Sequence, residues 1–114
     1  MSVRALSKYI RISPYKLRLY ADVIRGCSVE KASAWLKTCG VKRANPLLKT
    51  LESAYANACQ KHSDIDSKSK VFIKEVRIDQ GPIVSYFKPA AMGRATPQRK
   101  RMSHIMVVVD KIQS

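Results

Sequence analysis

The sequence predicts an α+β fold: a small domain of three helices packed on a three-stranded antiparallel sheet, with a long protruding β-hairpin. Three observations predict it. Apolar residues recur at three and four in three separate runs between Ser13 and His62. Two β-rich runs, "VFIKEVRIDQGPIVSYF" and "HIMVVVDKI", follow without that spacing. Between them lies a segment of small residues, glycine and proline suited to a reversal, far from the apolar base of either run.

The first element is a short strand over 2–12, where Val3, Leu6, Tyr9, Ile10 and Ile12 alternate loosely with basic residues and leave Arg4, Lys8 and Arg11 on the wet side. In "SPYKLRLYADVIRG", Ser13 can cap and Pro14 suits the first helical position. Leu17, Tyr20, Ala21 and Ile24 make the apolar face, and Gly26 stops the helix. The second helix has Ser28 as N-cap, Glu30 near its positive end, Ala32, Trp35 and Leu36 as its stripe, and Gly40 as its stop. The third and longest runs from about Arg43 to His62 on Leu47, Leu48, Leu51, Ala54, Tyr55, Ala58 and Cys59, with Pro46 in or near the first turn, where its missing N–H matters least. "SDIDSKSK" is a polar connector, and no internal repeat is evident.

A chain of 114 residues suits one domain, 1–114, with a modest core. A hydrophobic content of 46% argues against a wholly disordered basic tail. The 22 Lys and Arg against 8 Asp and Glu leave a net charge of +14, more than solubility requires, and point to a polyanionic partner. Cys27, Cys39 and Cys59 are odd in number and lack ligand spacing, so neither a disulfide framework nor a zinc site is expected, and the surroundings are reducing. No stretch approaches the length of a membrane span and the N-terminus lacks a signal-like apolar run, so no membrane partner is expected.

The hairpin is disproportionate to the body. Arms of roughly 16 residues at about 3.3 Å per residue reach about 50 Å, whereas a globule of the remaining residues is roughly 30 Å across. The hairpin, about 71–112 with its tip at about 88–97, must therefore project. From Gln80 through Val109 there is no acidic residue, while Lys88, Arg94, Arg99, Lys100 and Arg101 are basic. A lone hairpin of this length exposes unpaired edges and makes physical sense when a partner, here RNA, surrounds it.

The ordered motifs "KLRLYADVIRG", "LESAYANA", "IDQGP", "AMGRAT" and "KRMSHIMVVV" closely resemble the bacterial or organellar form of the ribosomal protein L-twenty-two family of the large subunit, over essentially the whole chain. The resemblance implies a structural constituent of the ribosome that binds large-subunit rRNA, assists subunit assembly, and lines the nascent-polypeptide exit tunnel with its hairpin. Its partners would be that rRNA, neighbouring large-subunit proteins and, transiently, the nascent chain, in a cytoplasmic or organellar ribosome. By motif, Lys16, Arg18 and Arg25 would face rRNA, as would Arg99, Lys100, Arg101, Ser103 and His104 on the return arm. Arg4, Lys8, Arg11 and Lys88 complete the expected rRNA-binding set. Ala90, Ala91, Met92, Gly93, Arg94, Ala95 and Thr96 would form the tunnel tip, with Gly93 tolerating a tight reversal and Arg94 directed at phosphate. The chain departs from the family pattern at Ala90, where an arginine is frequent, at Met102, where a threonine is usual, and at Pro97.

Two other functions compete. An RNA-processing enzyme needs clustered carboxylates, a cofactor loop or a nucleophile beside a base, and none is legible. His62 and His104 are isolated, Asp64 and Asp66 read as turn formers, and Ser103 and His104 are strand neighbours that point to opposite faces. No catalytic residue, metal ligand or cofactor is expected. An architectural DNA binder should concentrate charge on a recognition helix, whereas here it is spread over extended arms, so DNA is not expected as a partner. Trp35 reads as core, and Tyr86 and Phe87 suit cross-strand packing and base stacking equally.

Overall fold

The computed structural model describes residues 3–40, 42–62, 65, 67–89 and 95–112, with side chains described outside 84–89 and 95–100. Among the described residues three strands and three α-helices follow the order β1 (Val3–Ile10), α1 (Pro14–Ile24), α2 (Val29–Thr38), α3 (Asn45–Lys61), β2 (Val71–Pro89) and β3 (Ala95–Lys111). The strands form one antiparallel sheet in the order β1-β3-β2, so β3 is central and β2 is an edge. The fold class is the α+β arrangement expected.

Helix starts and stops follow local chemistry. Pro14 opens α1, and the Ser13 carbonyl accepts from the Lys16 and Leu17 amides at 3.2 and 3.3 Å. The Ser13 side chain makes no cap bond, unlike Ser28, whose hydroxyl accepts from the Lys31 amide at 3.3 Å. Gly26 takes φ +84° after α1, a conformation costly for any residue with a Cβ. The chain then runs beside β2, with the Gly26 amide donating to the Ile73 carbonyl and the Ile73 amide to the Cys27 carbonyl. A short 3₁₀ turn at Lys42–Ala44 leads into α3, which therefore begins slightly later than the sequence pattern suggests.

The core lies between the helices and one face of the sheet. Leu17, Ala21 and Ile24 of α1, Val29, Ala32 and Leu36 of α2, and Leu47, Leu51, Ala54 and Ala58 of α3 meet Val3, Ala5, Val71, Ile73, Val76, Ile78, Ile105, Val107 and Val109. Alanines on α3 permit close approach, and the Ser7 and Thr50 hydroxyls bond at 2.8 Å between β1 and α3. Trp35 is half-buried against this core beside Tyr20, their ring centroids 6.1 Å apart.

Two irregularities in β2 matter. Val71 and Ile73 face the core, and so do Val76 and Ile78, a change of parity that strict alternation forbids. The register shifts between Ile73 and Glu75 absorb the extra residue. A second shift lies between Gln80 and Ile83, opposite Arg101–Ser103. Beyond it β2 and β3 continue in register from Ile83↔Arg101 to Pro89↔Ala95, and the molecule measures 66 × 25 × 18 Å. The paired strands therefore protrude well past the helical body.

β1 departs from the apolar set read in the sequence. Val3 and Ala5 point inward, whereas Leu6 and Tyr9 are 52% and 62% exposed. The pairing with β3 shifts between Ser7 and Ile10, and Tyr9 sits there at φ +58°, an uncommon conformation for a bulky residue. Its amide donates to His104 Nδ1 at 3.1 Å and its ring meets the imidazole edge-on, which helps hold that geometry.

Candidate nucleic-acid interface

Asp22 pairs with Arg25 at 2.8 Å and Glu75 with Arg77 at 3.0 Å. No carboxylate among the described residues pairs with Arg4, Lys8, Arg11, Lys16 or Arg101, all of them exposed. Arg4 and Lys8 lie on the sheet face turned away from the core, together with Leu6, and Arg11 lies on the β1–α1 connection. At the base of the sheet, burial alone would raise the Asp110 carboxyl. The bond from the Lys111 amide at 2.8 Å, with neighbouring positive charge, holds it below its ordinary value instead.

The cations of α1 and its C-terminal cap divide into two groups. Lys16 is exposed, but Arg18 donates from Nε and Nη2 to the Ile78 carbonyl at 3.3 and 3.0 Å. Arg25 donates from Nη2 to the Val76 carbonyl at 2.8 Å. Val76 and Ile78 are two residues apart on β2, so both carbonyls face its unpaired edge. The two arginines thus cover an edge that would otherwise present bare acceptors.

On the return arm, Arg101 is exposed and its guanidinium lies 6.0 Å from the centre of the Tyr15 ring, with that of Arg18 5.8 Å from the same ring. The structure thereby joins Arg18, Arg101 and an aromatic residue that the sequence reading missed. The available signal was a tyrosine on the polar side of an amphipathic helix. Ser103 departs from the expectation: it is fully buried, and its hydroxyl donates to the Ile12 carbonyl at 2.6 Å. That hydroxyl ties the β1–α1 connection to β3 and is not presented outward. His104 is half-buried on the opposite face, with Nδ1 occupied by Tyr9. Lys88, Arg99 and Lys100 lie on the paired strands, and of Ala95 and Thr96 the backbone is described. Ala90, Ala91, Met92, Gly93 and Arg94 lie outside the described residues.

A recess of about 400 Å³ at the β1–α3 junction is lined by Val3, Arg4, Asn57, Lys61 and Val108. It carries two cations and no nucleophile or carboxylate. Among the described residues no group of three His, Cys, Asp or Glu side chains converges, and Cys27, Cys39 and Cys59 are free thiols.

A family model described as ribosomal protein L22p/L17e matches residues 5–110. The chain belongs to this family. It is 48% identical over 112 residues to the large ribosomal subunit protein uL22 of Desulfotalea psychrophila, covering 97% of this chain and 99% of that protein. The protein of the same name from Syntrophus aciditrophicus is 44% identical over 111 residues, covering 97% and 99%. That from Rubrobacter xylanophilus is 48% identical over 103 residues, covering 90% and 80%. The family thus spans strands, helices and both hairpin arms alike.

Proposed function

We propose that this chain is a structural constituent of the large ribosomal subunit, held by rRNA on its cationic body and sending its hairpin between rRNA segments. The observation that carries this is the pairing of shape with charge. A 66 Å molecule projects two strands whose sequence from Gln80 through Val109 contains no acid, and its exposed Arg4, Lys8, Arg11, Lys16 and Arg101 have no carboxylate partner among the described residues. Such a projection can pass between phosphates without repulsion, and counterion release then drives binding. Family membership supports the same reading.

On this reading the rRNA-binding set is Arg4, Lys8, Arg11, Lys16, Lys88, Arg94, Arg99, Lys100, Arg101 and His104. Arg18 contributes a partly committed guanidinium, and Arg25 serves chiefly the fold. The tip, Ala90 to Thr96, would line the nascent-polypeptide exit tunnel, and early docking of the body would assist subunit assembly. Neighbouring large-subunit proteins and the growing chain complete the partners, in the cytoplasm. The role is one of binding rather than catalysis.

Sedimentation of a tagged chain from lysate tests the reading. The protein should migrate with the large subunit and be released by ribonuclease but not by deoxyribonuclease. Release by deoxyribonuclease alone would establish a DNA partner instead. Crosslinks from Met92 or Ala91 to a stalled nascent chain are expected, and crosslinks solely to solvent-side proteins would refute the tunnel placement.

A further inference from the structure

Tyr15 is 66% exposed, yet two guanidiniums from different elements lie over its ring, Arg18 at 5.8 Å and Arg101 at 6.0 Å from the centroid. Leu19, one turn along α1 and 70% exposed, continues the apolar surface next to the ring. A cation–π contact of one arginine with an exposed tyrosine is commonplace packing. A second guanidinium brought to the same ring by β3 is different, because like charges gather where the isolated fold gains little from them.

The two arginines are not equivalent. Arg18 spends Nε and Nη2 on the Ile78 carbonyl, which fixes it as a wall of the cluster. Arg101 makes no hydrogen bond or ion pair among the described residues, so its donor fork is available to a ligand. The cluster therefore offers an aromatic ring on a largely exposed residue, an adjoining apolar side chain and a free bidentate donor. Phosphate alone needs only the last of these. A ligand with a planar apolar group attached to an anion uses all three.

We propose that Tyr15, Arg18 and Arg101 form a binding site for one unpaired RNA nucleotide, whose base stacks on the exposed Tyr15 surface and whose phosphate is held by Arg101. The inference rests on the RNA-binding reading above and deepens it. A base inside a duplex has no free face, so this site selects a bulged or single-stranded nucleotide, while the surrounding cations hold backbone without regard to pairing.

The test compares two fluorescently labelled RNAs of equal length, oligoadenylate and an oligomer of abasic ribose-phosphate, titrated with the full chain at one salt concentration. The intact protein should bind oligoadenylate more tightly by about 5- to 150-fold, the range for one stacked base. Tyr15→Ala should erase that preference and leave affinity for the abasic oligomer unchanged, whereas Tyr15→Phe should retain it. Arg101→Ala should weaken both RNAs together. Equal binding of the two RNAs by the intact protein would overturn the stacking site while leaving electrostatic RNA binding in place. A preference that survives Tyr15→Ala would place stacking elsewhere and also overturn it. Loss of both affinities in Tyr15→Ala would mean that the ring merely props the guanidiniums, which again overturns the site. Failure of the intact protein to bind either RNA would sink the RNA-binding reading and this inference with it.

Discussion

The Arg18 guanidinium closes on the Ile78 carbonyl through two hydrogen bonds, from Nε at 3.3 Å and Nη2 at 3.0 Å. Ile78 belongs to the edge strand, on the side away from β3, and Arg25 repeats the arrangement at the Val76 carbonyl. Helix α1 is thus fastened to the protruding strand just below the irregularity at Gln80–Ile83. Residues whose type suggests RNA contact here help set the direction in which the hairpin leaves the body.

Arg18→Ala should therefore cost stability, by about 1–3 kcal/mol, because a partly buried carbonyl loses a charged donor. Lys16→Ala, two positions away and exposed, should stay within about 0.5 kcal/mol. Urea unfolding followed by circular dichroism measures both. Equal midpoints for the two variants would show that the bond to Ile78 carries no net stability.

Ser103→Ala should lower stability by about 1 kcal/mol, since the part-buried Ile12 carbonyl is left without its donor at 2.6 Å. RNA affinity and its salt dependence should be unchanged in the folded variant. A selective loss of RNA affinity at equal stability would return Ser103 to the binding surface.

Gly81 is held close to the partner strand. A Cβ there would lie 3.1 Å from the Met102 carbonyl carbon and oxygen and 3.2 Å from its Cβ. Backbone atoms in a paired strand yield little, so Gly81→Ala should cost about 1 kcal/mol after the entropic gain from stiffening the unfolded chain. A raised melting temperature would show that the irregularity can open without cost.

RNA affinity should fall steeply with salt. If about six phosphates are neutralised, the log–log slope is roughly −4 to −6. Removing one exposed cation, as in Lys8→Ala or Arg101→Ala, should reduce its magnitude by about 0.7–0.9. Titrations at several salt concentrations give the slope directly, and a flat profile would refute electrostatic anchoring.

Replacing residues 84–99 with a two-residue turn should leave the body folded. Among the described residues, the buried core reaches no further than Ile78 on β2 and Ser103 on β3. The melting temperature should shift by only a few degrees, on the scale of about 1 kcal/mol, and the shortened chain should still sediment with the large subunit. Loss of the folded spectrum would show that the distal strands hold the body together.

The sequence by itself determined the elements and the class of partner. Pro14, Ser28 and Pro46 mark helix starts, Gly26 and Gly40 mark stops, and the spacing of apolar residues separates helices from strands, because these signals act within a few residues of chain. Net charge and the acid-free arm are sums over residue types and need no coordinates. Even the change of parity between Ile73 and Val76 is visible as a broken alternation, although only pairing with β3 shows how it is absorbed. What the tertiary structure alone decided is where each polar side chain spends its bonds. Arg18 on α1 and Arg25 at its C-terminal cap look like solvent-facing cations, yet the strand order β1-β3-β2 places bare carbonyls within their reach. Ser103 is drawn inside because the β1–α1 connection crosses β3 there, and Tyr15 meets Arg101 because α1 packs beside the emerging hairpin. Local sequence encodes which face a residue occupies. The partner on that face comes from a distant part of the chain, and only the packed fold brings the two together.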